Sequence, residues 1–175
     1  MALVMGWLSL SRQHARPPEE QSVLRHPRST LVVGVVCSGF FLALAVLSSL
    51  FPGKDGSPAI SLLFVGFACL GAPLIVEYYR VVHRLEEGGL RYTPLISTPS
   101  FMPWTDVKSV RYAPSMKWFR IEGRDGRIVR VSVMLMGLPE FARVLLSEVP
   151  ELRIDPAARV LLEQTAEGHP PSVWG

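Results

Sequence analysis

The sequence predicts a membrane α-helical hairpin followed by an α+β domain, and three observations carry that expectation. Two runs without a charged residue, 31–51 and 59–76, stand close together. Each has about the length, roughly 20 residues or slightly fewer, that a helix needs to cross a hydrocarbon core. After Arg80 the chain turns polar, with apolar residues first at every second position and later at helical spacing.

Residues 1–29 form a basic N-terminal segment with Arg12, Arg16, Arg25 and Arg28, and Leu3, Val4, Trp7, Leu8 and Leu10 give its start the composition of a short interfacial helix. The first span, 30–51, is rich in Val, Leu and Phe, each of which favours insertion by about 0.3–0.6 kcal/mol at mid-membrane. A cleaved signal peptide is the competing reading. Ala43-Leu44-Ala45 resembles a cleavage motif, but it lies inside the run, and the run exceeds the roughly 7–15 residues of a signal core. The connection 52–58 is too short for anything but an antiparallel turn, and is read as an external loop. In the second span, 59–79, Pro73 removes one backbone hydrogen bond and predicts a kink, while Glu77, Tyr78 and Tyr79 mark the water interface.

Arginines flank both spans on their outer sides, with Arg80 and Arg84 after the second, whereas the loop offers only Lys54 beside Asp55. The positive-inside rule then places both termini in the cytoplasm. Small residues four apart, Gly34/Ser38 and Ala68/Ala72, allow close helix approach. Cys37 and Cys69 fall within the apolar runs and read as buried thiols, with neither a disulfide framework nor a zinc site indicated.

From His83 the period is two: Leu90 and Tyr92, Val110 and Tyr112, Phe119 and Ile121, then Val129, Val131 and Val133. This predicts half-buried antiparallel strands. Glu87-Gly88-Gly89 and Gly123-Arg124-Asp125-Gly126 supply turns, and Pro94, Pro99 and Pro103 restrict the piece between to short or edge strands. Trp104, Val107 and Val110 are expected in the core. Leu138, Phe141, Ala142, Leu145, Leu146 and Val149 then form the stripe of an amphipathic helix, entered at Pro139 and stopped by Pro150. A shorter helix is expected after Asp155-Pro156, with Val160 and Leu161 inward, inside a C-terminal segment of 151–175. The soluble domain, 82–150, therefore reads as a bent antiparallel sheet or small barrel capped by a C-terminal helix.

Several of these segments resemble the bacterial pleckstrin-homology-like (PH-like) domains of small membrane proteins. They are Glu87-Gly88-Gly89-Leu90-Arg91-Tyr92, Pro103-Trp104-Thr105-Asp106-Val107-Lys108-Ser109-Val110 and Asp125-Gly126-Arg127, followed by the helix. The likeness covers roughly residues 30–150. It implies a paired-helix anchor in a bacterial inner membrane and a tethered binding or scaffolding role. PH domains that bind phosphoinositides use basic residues around their first hairpin, where this chain carries Glu86 and Glu87, which repel phosphate.

Net charge is +3, without the dense basic block of a nucleic-acid-binding chain. His14, His26, His83 and His169 are scattered without ligand spacing and read as surface or interface residues; no phosphate loop or nucleophile elbow occurs. No catalytic residue, metal ligand or cofactor is expected. Candidate contacts are Lys117, Trp118, Arg120, Arg124, Arg127 and Arg130, gathered on and around the last hairpin. The expectation is a non-enzymatic scaffold that holds a protein partner at the cytoplasmic membrane face. The alternative is a lipid-responsive module whose basic hairpin contacts anionic headgroups, each basic residue contributing about 1 kcal/mol near the surface.

Overall fold

Residues 22–51, 58–94 and 98–172 are described by a computed structural model. The expected interfacial start of the chain and most of the external loop lie outside these residues. The chain divides into two compact units. One is Pro27–Arg80; the other joins the residues before it to those after it.

The first unit is a pair of antiparallel helices, α1 (Arg28–Leu50) and α2 (Pro58–Arg80). Both are long and apolar enough to cross a membrane, and only 17% and 11% of their most apolar windows are buried. Side chains such as Val36, Phe40, Leu50, Leu62 and Leu70 face outward, more than half exposed. The helices meet through the Phe41 and Phe67 rings, 5.3 Å between centroids, and approach most closely where side chains are small. A Cβ on Gly71 would fall 2.9 Å from the Gly34 carbonyl oxygen and against Ser38 Oγ. Ser38 Oγ donates to the Ala68 carbonyl at 3.0 Å, and the Ser48 and Ser61 hydroxyls are 2.8 Å apart. The small residues therefore serve the pairing within the chain, with Gly71 taking the place expected of Ala72, which is exposed. Cys37 and Cys69 lie on the outward faces instead of being buried. The second helix continues through Pro73 to Arg80.

The second unit begins before the helices, with a strand that the sequence pattern did not reveal. β1 (Val23–Arg25) pairs antiparallel with β2 (Val82–Glu86), Leu24 opposite His83. The helical hairpin is therefore inserted between two neighbouring strands of one sheet. β3 (Gly89–Tyr92) and β4 (Ser100–Pro103) complete that sheet in the order β1-β2-β3-β4, leaving the proline-bearing strand at an edge. Gly89 is required there, because a Cβ would meet the Met102 carbonyl oxygen at 2.5 Å.

A short 3-10 turn, Trp104–Asp106, leads to the second sheet, β5 (Val107–Ala113), β6 (Trp118–Gly123) and β7 (Ile128–Ser132), in sequence order. The domain is thus built on two sheets. α3 (Leu138–Glu148) carries the expected stripe, with Leu138, Phe141, Ala142 and Leu145 buried. α4 (Pro156–Ala166) is capped by Asp155, whose carboxylate accepts from the Ala157 N–H at 3.0 Å. Its phase differs from expectation: Ala158, Leu162 and Thr165 are buried while Val160 is half exposed.

One core joins both sheets and both of these helices through Leu24, Leu90, Phe119, Ile121, Phe141, Leu145 and Leu162. The compact unit therefore extends beyond 82–150 to take in β1 and α4. Trp104, Val107 and Val110 fill core positions, at most 2% exposed. The outer edges of β5 and β1 are partly covered. Arg153 donates to the carbonyls of Thr105 and Val107, both at 3.0 Å, and the Asp155 N–H donates to Val110. Met136 N–H donates to the Arg25 carbonyl beside β1. Such cover blocks pairing with another chain.

Candidate functional site

The second sheet presents one face to the core and one to water. Alternation sends Val110, Phe119, Ile121, Val129 and Val131 inward. A bulge between Val107 and Ser109 restores the phase of β5 after two outward-leaning residues. Register then sets Arg111 opposite Arg120, and Arg120 opposite Arg130. Three arginines from three adjacent strands thus form one row across the exposed face. With strands about 4.8 Å apart, the row spans roughly 9.6 Å of backbone. Like charges directly opposed in a sheet destabilise it by roughly 0.2–1 kcal/mol per pair. The row is costly to the fold.

Two further rows flank it. Ala113, Trp118 and Ser132 lie on the side of the β5–β6 turn, and Ser109, Glu122 and Ile128 on the other. The arginines are partly held in place. Arg130 lies over the Trp118 ring, its Cζ 5.5 Å from the centroid. Arg120 approaches Glu122 at 3.7 Å, and Lys108 Nζ reaches the other oxygen of that carboxylate at 3.1 Å. The Lys108 hydrogen bond, then its charge and those of Arg120 and Arg111, keep the Glu122 carboxyl below its ordinary pKa. Lys108, Arg111 and Arg120 thus act together on the Glu122 carboxylate, and Arg130 stands on Trp118 instead.

The six residues expected to bind do not fall in one place. Trp118, Arg120 and Arg130 share the outer face, and Lys117 adjoins them in the β5–β6 turn, held at a left-handed φ of 52°. Arg124 and Arg127 lie in the turn between β6 and β7, roughly 10–14 Å from the arginine row by strand rise. There Arg127 is paired with Asp125 at 2.5 Å, and its N–H first, then its guanidinium, holds the Asp125 carboxyl low. Sequence reasoning missed Arg111. Its alternation with Val110 and Tyr112 was visible, but only the register shows which residues of β6 and β7 it joins.

In the β2–β3 hairpin one arginine is already engaged, while Arg84, opposite it on β2, lies exposed. Arg91 grips Glu86 with two hydrogen bonds, of 2.5 and 2.9 Å, and that grip lowers the Glu86 pKa. His26 and His83, expected at the surface or an interface, are 6% and 3% exposed. Neither ring nitrogen of His83 has a hydrogen-bond partner among the described residues. Burial, then the neighbouring His26, lowers the His83 pKa to about 4, with a backbone group of Arg130 offsetting part of the effect. Burial lowers His26 as well.

Comparison with family models, curated proteins and solved structures finds no match for this chain.

Proposed function

We propose that this chain is a non-enzymatic, membrane-anchored binding protein, which docks a protein partner on the arginine row of its second sheet. The single observation that carries this reading is the alignment of Arg111, Arg120 and Arg130 at directly opposed positions. Such an arrangement works against the fold and gains from an anionic partner that fills it. Trp118 beside the row adds the aromatic and arginine pairing in which binding hot spots are enriched.

The anchor is a two-span hairpin in a bacterial inner membrane, with both chain ends in the cytoplasm. Arginines on both outer flanks support that orientation. A second support is independent of charge: β1 and β2, on either side of the hairpin, are hydrogen-bonded neighbours, so both flanks must share one side of the membrane. The soluble unit is read as a PH-like module, a four-stranded and a three-stranded sheet followed by a helix.

The test is affinity purification of the full chain from detergent-solubilised membranes, beside a variant carrying R111E, R120E and R130E. The expected result is one stoichiometric protein recovered with the native chain and lost with the variant. Recovery of the chain alone, or of the same protein with both, refutes the reading.

A further inference from the structure

We infer that the element docked on this face is an acidic amphipathic helix lying across the strands, its carboxylates on Arg111, Arg120 and Arg130. The inference rests on the reading of the sheet face as a docking surface, and deepens it from charge to shape. The row repeats at the strand spacing, about 4.8 Å, so its outer members are roughly 9.6 Å apart. On a helix, side chains three and four residues apart are about 5–6 Å from one another. Positions i, i+4 and i+7 advance about 10.5 Å along the axis. Helix and row stay in step over all three contacts.

An extended segment does not. Laid along the row, its same-side residues repeat at about 6.7 Å, so three of them cover roughly 13 Å and overrun the arginines. Laid along the strands, it meets the row once. Long side chains could blur this distinction, but two of the three arginines are restrained. Arg130 is stacked on Trp118 and Arg120 is drawn to Glu122, so each charged end is held near its own strand while the two lean toward opposite flanking rows.

The flanking rows set which way the helix is turned. On one side Ala113 and Trp118 offer apolar surface for the next stripe of the helix. On the other side Glu122, already engaged by Lys108, repels a further carboxylate. The acidic stripe therefore lies on the arginines and the apolar stripe on the Trp118 side. A flat anionic membrane is the poorer fit: it places no charges at this repeat.

The experiment uses the full chain in nanodiscs of zwitterionic phosphatidylcholine and two synthetic 18-residue peptides of identical Glu, Leu, Ala and Gln composition. One carries Glu at i, i+4, i+7 and i+11 beside a Leu stripe; the other alternates Glu and Leu. Phosphatidylserine vesicles form a third arm. The helical peptide is expected to bind at least tenfold more tightly than the alternating one and to gain helicity on binding. R120E and the milder R120Q should each weaken it, R120E at least tenfold, with folding checked by thermal melting. Equal binding of both peptides, each lost in R120E, overturns the helix and leaves the docking face standing. Peptide binding unchanged by R120E and R120Q, or row-dependent binding to the vesicles alone, overturns both.

Discussion

Replacing Arg120 by Thr removes the centre of the arginine row and with it both opposed like-charge pairs, Arg111–Arg120 and Arg120–Arg130. Each such pair costs roughly 0.2–1 kcal/mol, so the relief is about 0.4–2 kcal/mol. Thr suits a strand, and Glu122 keeps its Lys108 partner at 3.1 Å. The variant should therefore be more stable than the native chain by about 1 kcal/mol. For a domain of this size that raises the melting midpoint by about 4–8 °C. The measurement is thermal unfolding of the full chain in neutral-lipid nanodiscs, followed by near-ultraviolet circular dichroism at low salt and at high salt. Screening shrinks the gain, since the Debye length falls to about 3 Å at about 1 M salt. A midpoint below that of the native chain refutes the reasoning, as does a gain that salt leaves unchanged.

Four further expectations follow from particular contacts. Gly71→Val drives a side chain into the Gly34 backbone and Ser38, and should separate α1 from α2 at a cost of about 1–3 kcal/mol. In a background lacking Cys37 and Cys69, Ser48→Cys with Ser61→Cys should oxidise readily in the native hairpin and poorly in the Gly71→Val chain. Phe141→Ala empties the centre of the core and should destabilise the sheet-bearing unit by about 3–5 kcal/mol in chemical denaturation, with the hairpin helicity retained. Asp155→Ala should lose about 1 kcal/mol through the first turn of α4, and Asp155→Asn should recover most of it. His83 is held neutral in the fold, at a pKa of about 4, while its ordinary value is 6.5. The unfolded chain binds the extra proton between those two values, so stability is full above about pH 6.5 and falls as pH drops toward 4. The loss through this one group is about 3 kcal/mol over that window, and His83→Phe should flatten the slope measured by denaturation at a series of pH values.

The hairpin, the last two strands and α3 were legible because each rests on a pattern with one period. A charge-free run, an alternation of Val with Arg or Ser, and an apolar stripe with prolines at its ends need no partner to be recognised. β1 was not legible: three residues, Val23–Arg25, are too few to show an alternation, and their partner strand lies beyond both helices. The buried histidines failed for a related reason. Nothing local distinguishes His83 from a surface residue, and only the pairing of β1 with β2 encloses it. Val160 misled because the helix phase is set by the Asp155 cap and by what Ala158 and Leu162 meet, not by apolarity alone. At the candidate site, Trp118, Arg120 and Arg130 could be read from one hairpin, whereas Arg111 required the register of a third strand.

The insertion of the hairpin between β1 and β2 governs how the sheet-bearing unit must be isolated. A fragment starting at Val82 lacks Leu24, a fully buried member of the core, and exposes the unpaired edge of β2. It invites edge-to-edge aggregation. Excising the helices and splicing residues 22–26 to 82–172 through a few glycines keeps the sheet whole, because Arg25 and Val82 already sit side by side. During synthesis, too, the ribosome releases β1 long before its neighbour emerges, so the first strand must wait unpaired while both long helices are made.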